Sequence, residues 1–116
     1  MAHDSHNVVV AAGTRQALAK AANAVFLARG GLVLVNGDHV DVLPLPIAGL
    51  MSDQPAEDVG ARYEAMTRDV GATFKAPFMT LSFLALLPIP ALKLSDLGLF
   101  DAREFHFTNV QLDAAK

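Results

Sequence analysis

Leu43-Pro44-Leu45-Pro46-Ile47-Ala48-Gly49-Leu50-Met51-Ser52-Asp53 is an apolar stretch that carries two prolines and a glycine and stops at a Ser-Asp pair. Each proline removes a backbone donor, so the stretch is no central strand bonded on both sides. Gly49 permits a positive φ or a close approach by another backbone. The stretch therefore reads as a rigid extended passage into a tight corner, with a helix starting beyond it. Ser52 or Asp53 would cap that helix, Pro55 would sit in its first turn, and Glu57 and Asp58 would face the positive end of its dipole. Val59, Tyr63, Met66 and Val70 form its apolar stripe and Gly71 ends it.

Upstream, Thr14 is a fair N-cap for a helix over Arg15 to Arg29, with Leu18, Ala21, Ala22 and Val25 at three-and-four spacing and Gly30-Gly31 as the stop signal. Leu32 to Val35 reads as a buried strand. Asn36-Gly37 signals a hairpin, and Val40 and Val42 alternate with Asp41 in the return strand, which His39 opens. Val8-Val9-Val10-Ala11 reads as a first strand. If that strand reaches back into the polar start, Asp4 and His6 share the face of Val8 and Val10, and His3, Ser5 and Asn7 share the other.

Downstream, periodicity does not separate strand from buried helix over residues 78–87. Pro88-Ile89-Pro90 closes that run. Leu92 and Leu94 alternate with Lys93, Leu97-Gly98-Leu99 makes a turn, and Phe105 and Phe107 mark a last strand at an edge. These elements predict a single α+β domain over residues 1–116. They suggest two layers: a mixed β-sheet of about five strands with two helices packed on one face.

Composition narrows the function classes. The 116 residues are 53% apolar and 18% charged, enough for a core. A net charge of −3 argues against a nucleic-acid partner. The absence of cysteine removes disulfides and thiolate ligands, and fits a cytoplasmic protein. The apolar run from Pro77 to Leu92 is broken by Pro88 and Pro90, so no membrane span is expected. Chemistry-bearing residues concentrate at the start, in His3-Asp4-Ser5-His6-Asn7. A carboxylate beside an imidazole fixes its tautomer and raises its basicity. A solvated terminus is the plainer reading of the same residues. A metal held between His3 and His6 would need a turn or helix there, because in a strand the two point opposite ways. His39 and His106 lie far off in sequence, and no closed metal site can be assembled from the sequence.

Ala2 through Asn7 with the following valines, Leu43 through Asp53, and Pro77 through Leu86 resemble, in order, the C-terminal domain of bacterial adenine deaminase, in the amidohydrolase superfamily. Gly30-Gly31 and Lys93 through Leu99 add to the resemblance. It implies part of a metal-dependent hydrolase of purine metabolism that converts adenine and water to hypoxanthine and ammonia. The family's metal ligands are histidines and carboxylates of a (β/α)₈ barrel, including a His-x-His pair, and this chain has neither the barrel nor the pair. The resemblance thus implies an N-terminally truncated domain, inactive alone, whose divalent metal, manganese or iron, belongs to the barrel of the parent enzyme. Within it, His3, Asp4 and His6 would support or relay protons, and Ser5, Asn7, Ser52 and Asp53 would contact substrate; no metal ligand is assigned. The expected partners are an amidohydrolase barrel and, through it, adenine. The other reading is a packing module without activity, prone to self-association through apolar surface.

Overall fold

In the computed structural model the described residues are 2, 4–73 and 75–110. The elements run α1 (Arg15–Leu27), β1 (Gly31–Asn36), β2 (His39–Pro44), α2 (Ala56–Val70), α3 (Pro77–Ser82), a 3₁₀ turn (Phe83–Ala85), β3 (Leu92–Ser95), β4 (Gly98–Asp101) and β5 (His106–Thr108). The domain is α+β with five strands, as the sequence suggests. The strands do not form one mixed sheet. They divide into an antiparallel hairpin, β1-β2, and an antiparallel three-stranded sheet, β3-β4-β5, with β5 at an edge. The valine run at residues 8–10 enters neither sheet.

The hairpin turn sits one residue later than the Asn-Gly signal suggests. Asn36 pairs with His39, so the two turn residues are Gly37 and Asp38. Gly37 takes φ 58°, which suits the first central position of a hairpin turn. Lys20 of α1 holds the turn from outside, donating to Gly37 O at 3.0 Å and to Asp38 at 3.3 Å.

Helix α1 starts as expected, with Thr14 Oγ1 accepting the Ala17 N–H at 3.2 Å. Its end differs. The helix stops at Leu27, and Arg29, not a glycine, takes the left-handed position with φ 57°. The Arg29 N–H reaches Phe26 O at 3.1 Å and the Gly30 N–H reaches Val25 O at 3.0 Å. That bond pair is a Schellman ending shifted one residue upstream of the Gly-Gly signal. Gly30 is needed elsewhere, as shown below. Leu18 stays 38% exposed, so the buried line of α1 runs through Ala21 instead.

Leu32 of β1 lies directly opposite Leu43 of β2, so both face one side. There they pack on Met66, with Leu34, Val59, Tyr63 and Phe78 around them. Of the stripe read along α2, Met66 is buried and Val59 and Tyr63 pack half-buried against this core, while Val70 does not join it. Asp41 shares that face and pairs with Arg62 of α2 at its margin. Neither Ser52 nor Asp53 caps α2. The helix starts at Ala56, too far on for the Ser52 hydroxyl, which instead accepts the Gln54 N–H at 3.1 Å. Asp53 accepts from the Gln54 side chain at 3.0 Å. Gly71, with φ 64°, ends α2 as read.

The run at residues 78–87 begins as a helix. Pro77 opens it and cannot donate within a sheet ladder, yet suits a first helical turn. Among the described residues no helix is long and apolar enough to cross a membrane.

In the three-stranded sheet, Phe100 stacks edge-on against Phe105 and Phe107, with centroids 5.4 and 5.3 Å apart. Asp101 caps the β4–β5 turn, accepting the Arg103 N–H at 2.8 Å and the Glu104 N–H at 3.2 Å. These bonds, first Arg103 and then Glu104, hold the Asp101 carboxyl below the usual carboxylate range. A depressed folded pKa stabilises above the unfolded value, and that support is lost as pH falls through the folded one. Asp101→Asn should therefore be less stable than wild type near neutrality. The gap should close as unfolding is followed from pH 6 down towards pH 3; a gap that widens on acidification would contradict the assignment.

Candidate functional site

A cavity of about 450 Å³ lies beside β1 and the end of α1. The three sequence stretches that share a resemblance meet at it: His6, Asn7 and Val8 from the start, Ala48 and Gly49 from the corner, and Phe78 and Ser82 from α3. They are brought together by one backbone contact. A Cβ added to Gly30 would overlap the Cα of Gly49, and Gly30 has φ 116°. Only glycine accepts both conditions, which is why the end of α1 can press against the corner. The corner itself is a turn closed by the Leu50 N–H on Ile47 O at 3.0 Å, with Ala48 at φ 56° and Gly49 at φ 73°.

Left-handed backbone is concentrated around this cavity. His6, Arg29, Gly30, Gly31, Ala48 and Gly49 all have positive φ and all line it. Conformations of that kind persist where surrounding structure holds them, and they gather at binding and catalytic sites.

The expected site residues fall into groups. His6 and Asn7 line the cavity and are exposed. The chain before them is a turn, not a strand. The His6 N–H bonds to Ala2 O at 2.8 Å and His6 takes φ 56°, so the strand alternation expected for Asp4 and His6 does not hold. Asp4 lies in this turn and is exposed. Ser5 follows it, half-buried, with an Oγ that has no hydrogen-bond partner among the described residues. His3 lies outside the described residues. Ser52 lines a second cavity of about 600 Å³ between the corner, α2 and α3, together with Met51, Phe78 and Met79. Asp53 is exposed and lines neither cavity.

Two polar groups at the first cavity were not singled out by the sequence as site residues, Arg29 and Ser82. Arg29 reads as a dipole partner in a last helical turn, and only the shifted helix ending moves it to the cavity wall. Ser82 is buried and its hydroxyl donates to Met79 O at 2.7 Å, leaving its lone pairs as acceptors. Among the described residues no three histidine, aspartate or glutamate side chains converge as metal ligands. The arrangement offers imidazole, carboxamide, guanidinium and hydroxyl groups on apolar walls, fit for orienting a small polar molecule or a loop.

Comparison with known proteins gives the same placement. The chain is 52% identical to an adenine deaminase of Salinibacter ruber over 97% of its length, and 51% identical to one of Sulfurovum sp. over 92%. An adenine deaminase of Methanothermobacter thermautotrophicus is 45% identical over 95% of the chain. In each case the match covers 21% of the relative, so the chain spans about a fifth of the length of these proteins. No solved structure matches the chain significantly. The family model of the adenine deaminase C-terminal domain matches residues 1–106, and the chain belongs to that family.

Proposed function

We propose that the chain acts as the C-terminal accessory part of a metal-dependent adenine deaminase, which hydrolyses adenine to hypoxanthine and ammonia in the cytoplasm. The meeting of the His6, Gly49 and Ser82 stretches at one cavity is the observation that carries this reading. The divalent metal, manganese or iron, belongs to the barrel part of such an enzyme, where it supplies an activated water. The residues of this chain support the chemistry from outside that centre. His6 and Asp4, with His3, hold or pass protons near the leaving amine. Ser5 and Asn7 contact substrate or the loop that carries it, and Ser52 forms a polar lip at the second cavity, which the exposed Asp53 next to it in sequence extends outside the cavity.

The test uses an intact enzyme in which this chain replaces the matching segment of the Salinibacter ruber adenine deaminase. Hypoxanthine formation is followed for the graft and for its Asp4→Ala and His6→Ala forms. Loss of a proton-passing group lowers kcat by roughly 10²-fold or more. Unchanged kcat in both variants removes the proton role, and an inactive but folded graft removes the accessory reading. A second reading, a packing module without chemistry, is favoured by the exposure of Leu94 and Leu97 at 73% and 77%. It predicts an active graft that is indifferent to both substitutions.

A further inference from the structure

Helix α3 and the 3₁₀ turn after it read Pro-Phe-Met-Thr-Leu-Ser-Phe-Leu-Ala, apolar but for the hydroxyls of exposed Thr80 and buried Ser82. A helix of that kind is normally buried all round. Here only one side is. Pro77 and Ser82 are buried and Phe78 packs on the core, whereas Met79, Phe83 and Leu84 are 47%, 39% and 60% exposed. No charged residue occurs between Lys75 and Lys93 to keep this surface in water. Beside it opens the second cavity, with Met51 and Met79 at its rim and Leu43, Leu45 and Val59 in its wall. Exposed apolar surface continuous with an apolar cavity marks a docking site.

We infer that the outer face of α3, with Met79, Phe83, Leu84 and the rim residue Met51, is where the remainder of an adenine deaminase chain packs. The inference rests on the accessory reading above and names its contact surface. Two observations select this occupant over a second copy. About four fifths of each relative lies outside the match, so in those proteins a large body of the same polypeptide is joined to the matching segment. The face also runs into Ser52, which lines the same cavity, so covering it brings that body up to the polar lip. The occupant presents an apolar surface with protruding side chains to fill the cavity, and a polar group within reach of Ser52.

Methionine oxidation reads the face directly. Peroxide should oxidise Met51 and Met79 readily in the isolated 116-residue chain and leave buried Met66 slow. In the graft described above, Met79 and Met51 should be oxidised at least about 10-fold more slowly, with Met66 slow in both. Met79 oxidised as fast in an active graft as in the isolated chain overturns the inference and leaves the accessory reading standing. A folded, inactive graft overturns the accessory reading and the inference together. Protection of Met79 that grows with concentration of the isolated chain assigns the face to a second copy and also overturns it. If the graft does not fold, hydrogen exchange in the intact Salinibacter ruber enzyme decides. Slow exchange over the peptide aligned with residues 77–85 supports the inference, and exchange as fast as in the isolated chain overturns it.

Discussion

Gly30→Ala is expected to destabilise the chain by about 2–6 kcal/mol, the sum of an overpacking term of about 1–3 kcal/mol and a backbone term of similar size. The packing term arises because the new methyl would overlap the Gly49 Cα, an atom of a proline-stiffened corner with no rotamer to change. The backbone term arises because φ 116° is open to glycine alone among ordinary residues. Gly37→Ala supplies the comparison. Gly37 also has positive φ, at 58°, but an added Cβ meets nothing within 4 Å. Only the left-handed strain remains there, about 1 kcal/mol. Urea unfolding of the two variants separates the effects. Equal losses would mean that the Gly30–Gly49 contact contributes nothing, and with it the account of how the corner reaches the cavity.

The same contact explains which parts of the fold can be read along the chain. Local signals place α1, the hairpin, α2, β3 and β5 because each rests on neighbours in sequence: the Thr14 cap, the alternation of Val40 and Val42, the stripe along α2. They miss β4, because Gly98 and Leu99 read as a turn but pair with Ser95 and Leu94. Signals that depend on distant partners mislead. Gly30 and Gly31 look like a helix stop, but Gly30 is reserved for Gly49, so the stop falls on Arg29. Ser52 and Asp53 look like caps, but Pro55 lies between them and the helix and the side chains turn back on Gln54. The valines at 8–10 have strand propensity and no paired neighbour, and propensity without a partner makes no strand. His6 and Asn7, which line the cavity, stand out in the sequence as candidates because polar groups are dense there. Arg29 and Ser82 are not, since both reach the cavity through tertiary placement.

Met66→Ala is expected to cost about 2–5 kcal/mol, the range for removing a fully buried long side chain. Met66 has no exposed surface, and no other large side chain among the described residues is so completely enclosed. It joins α2 to Leu32 and Leu43, which sit opposite each other on the hairpin, so its loss opens a cavity where helix and hairpin meet. With so few fully buried residues, neighbours have little apolar material with which to close the gap, which places the expected value in the upper half of that range. Met66→Leu, similar in volume, should cost less than about 1.5 kcal/mol. Met79→Ala, at a residue 47% exposed, should cost well under either in the isolated chain. Thermal unfolding monitored by circular dichroism ranks the three. A Met66→Ala chain that melts within a degree or two of wild type would show that α2 is not held to the hairpin through this residue. The accessory and docking readings would then lose the rigid frame that keeps Ser52 and α3 in register with the rest of the cavity.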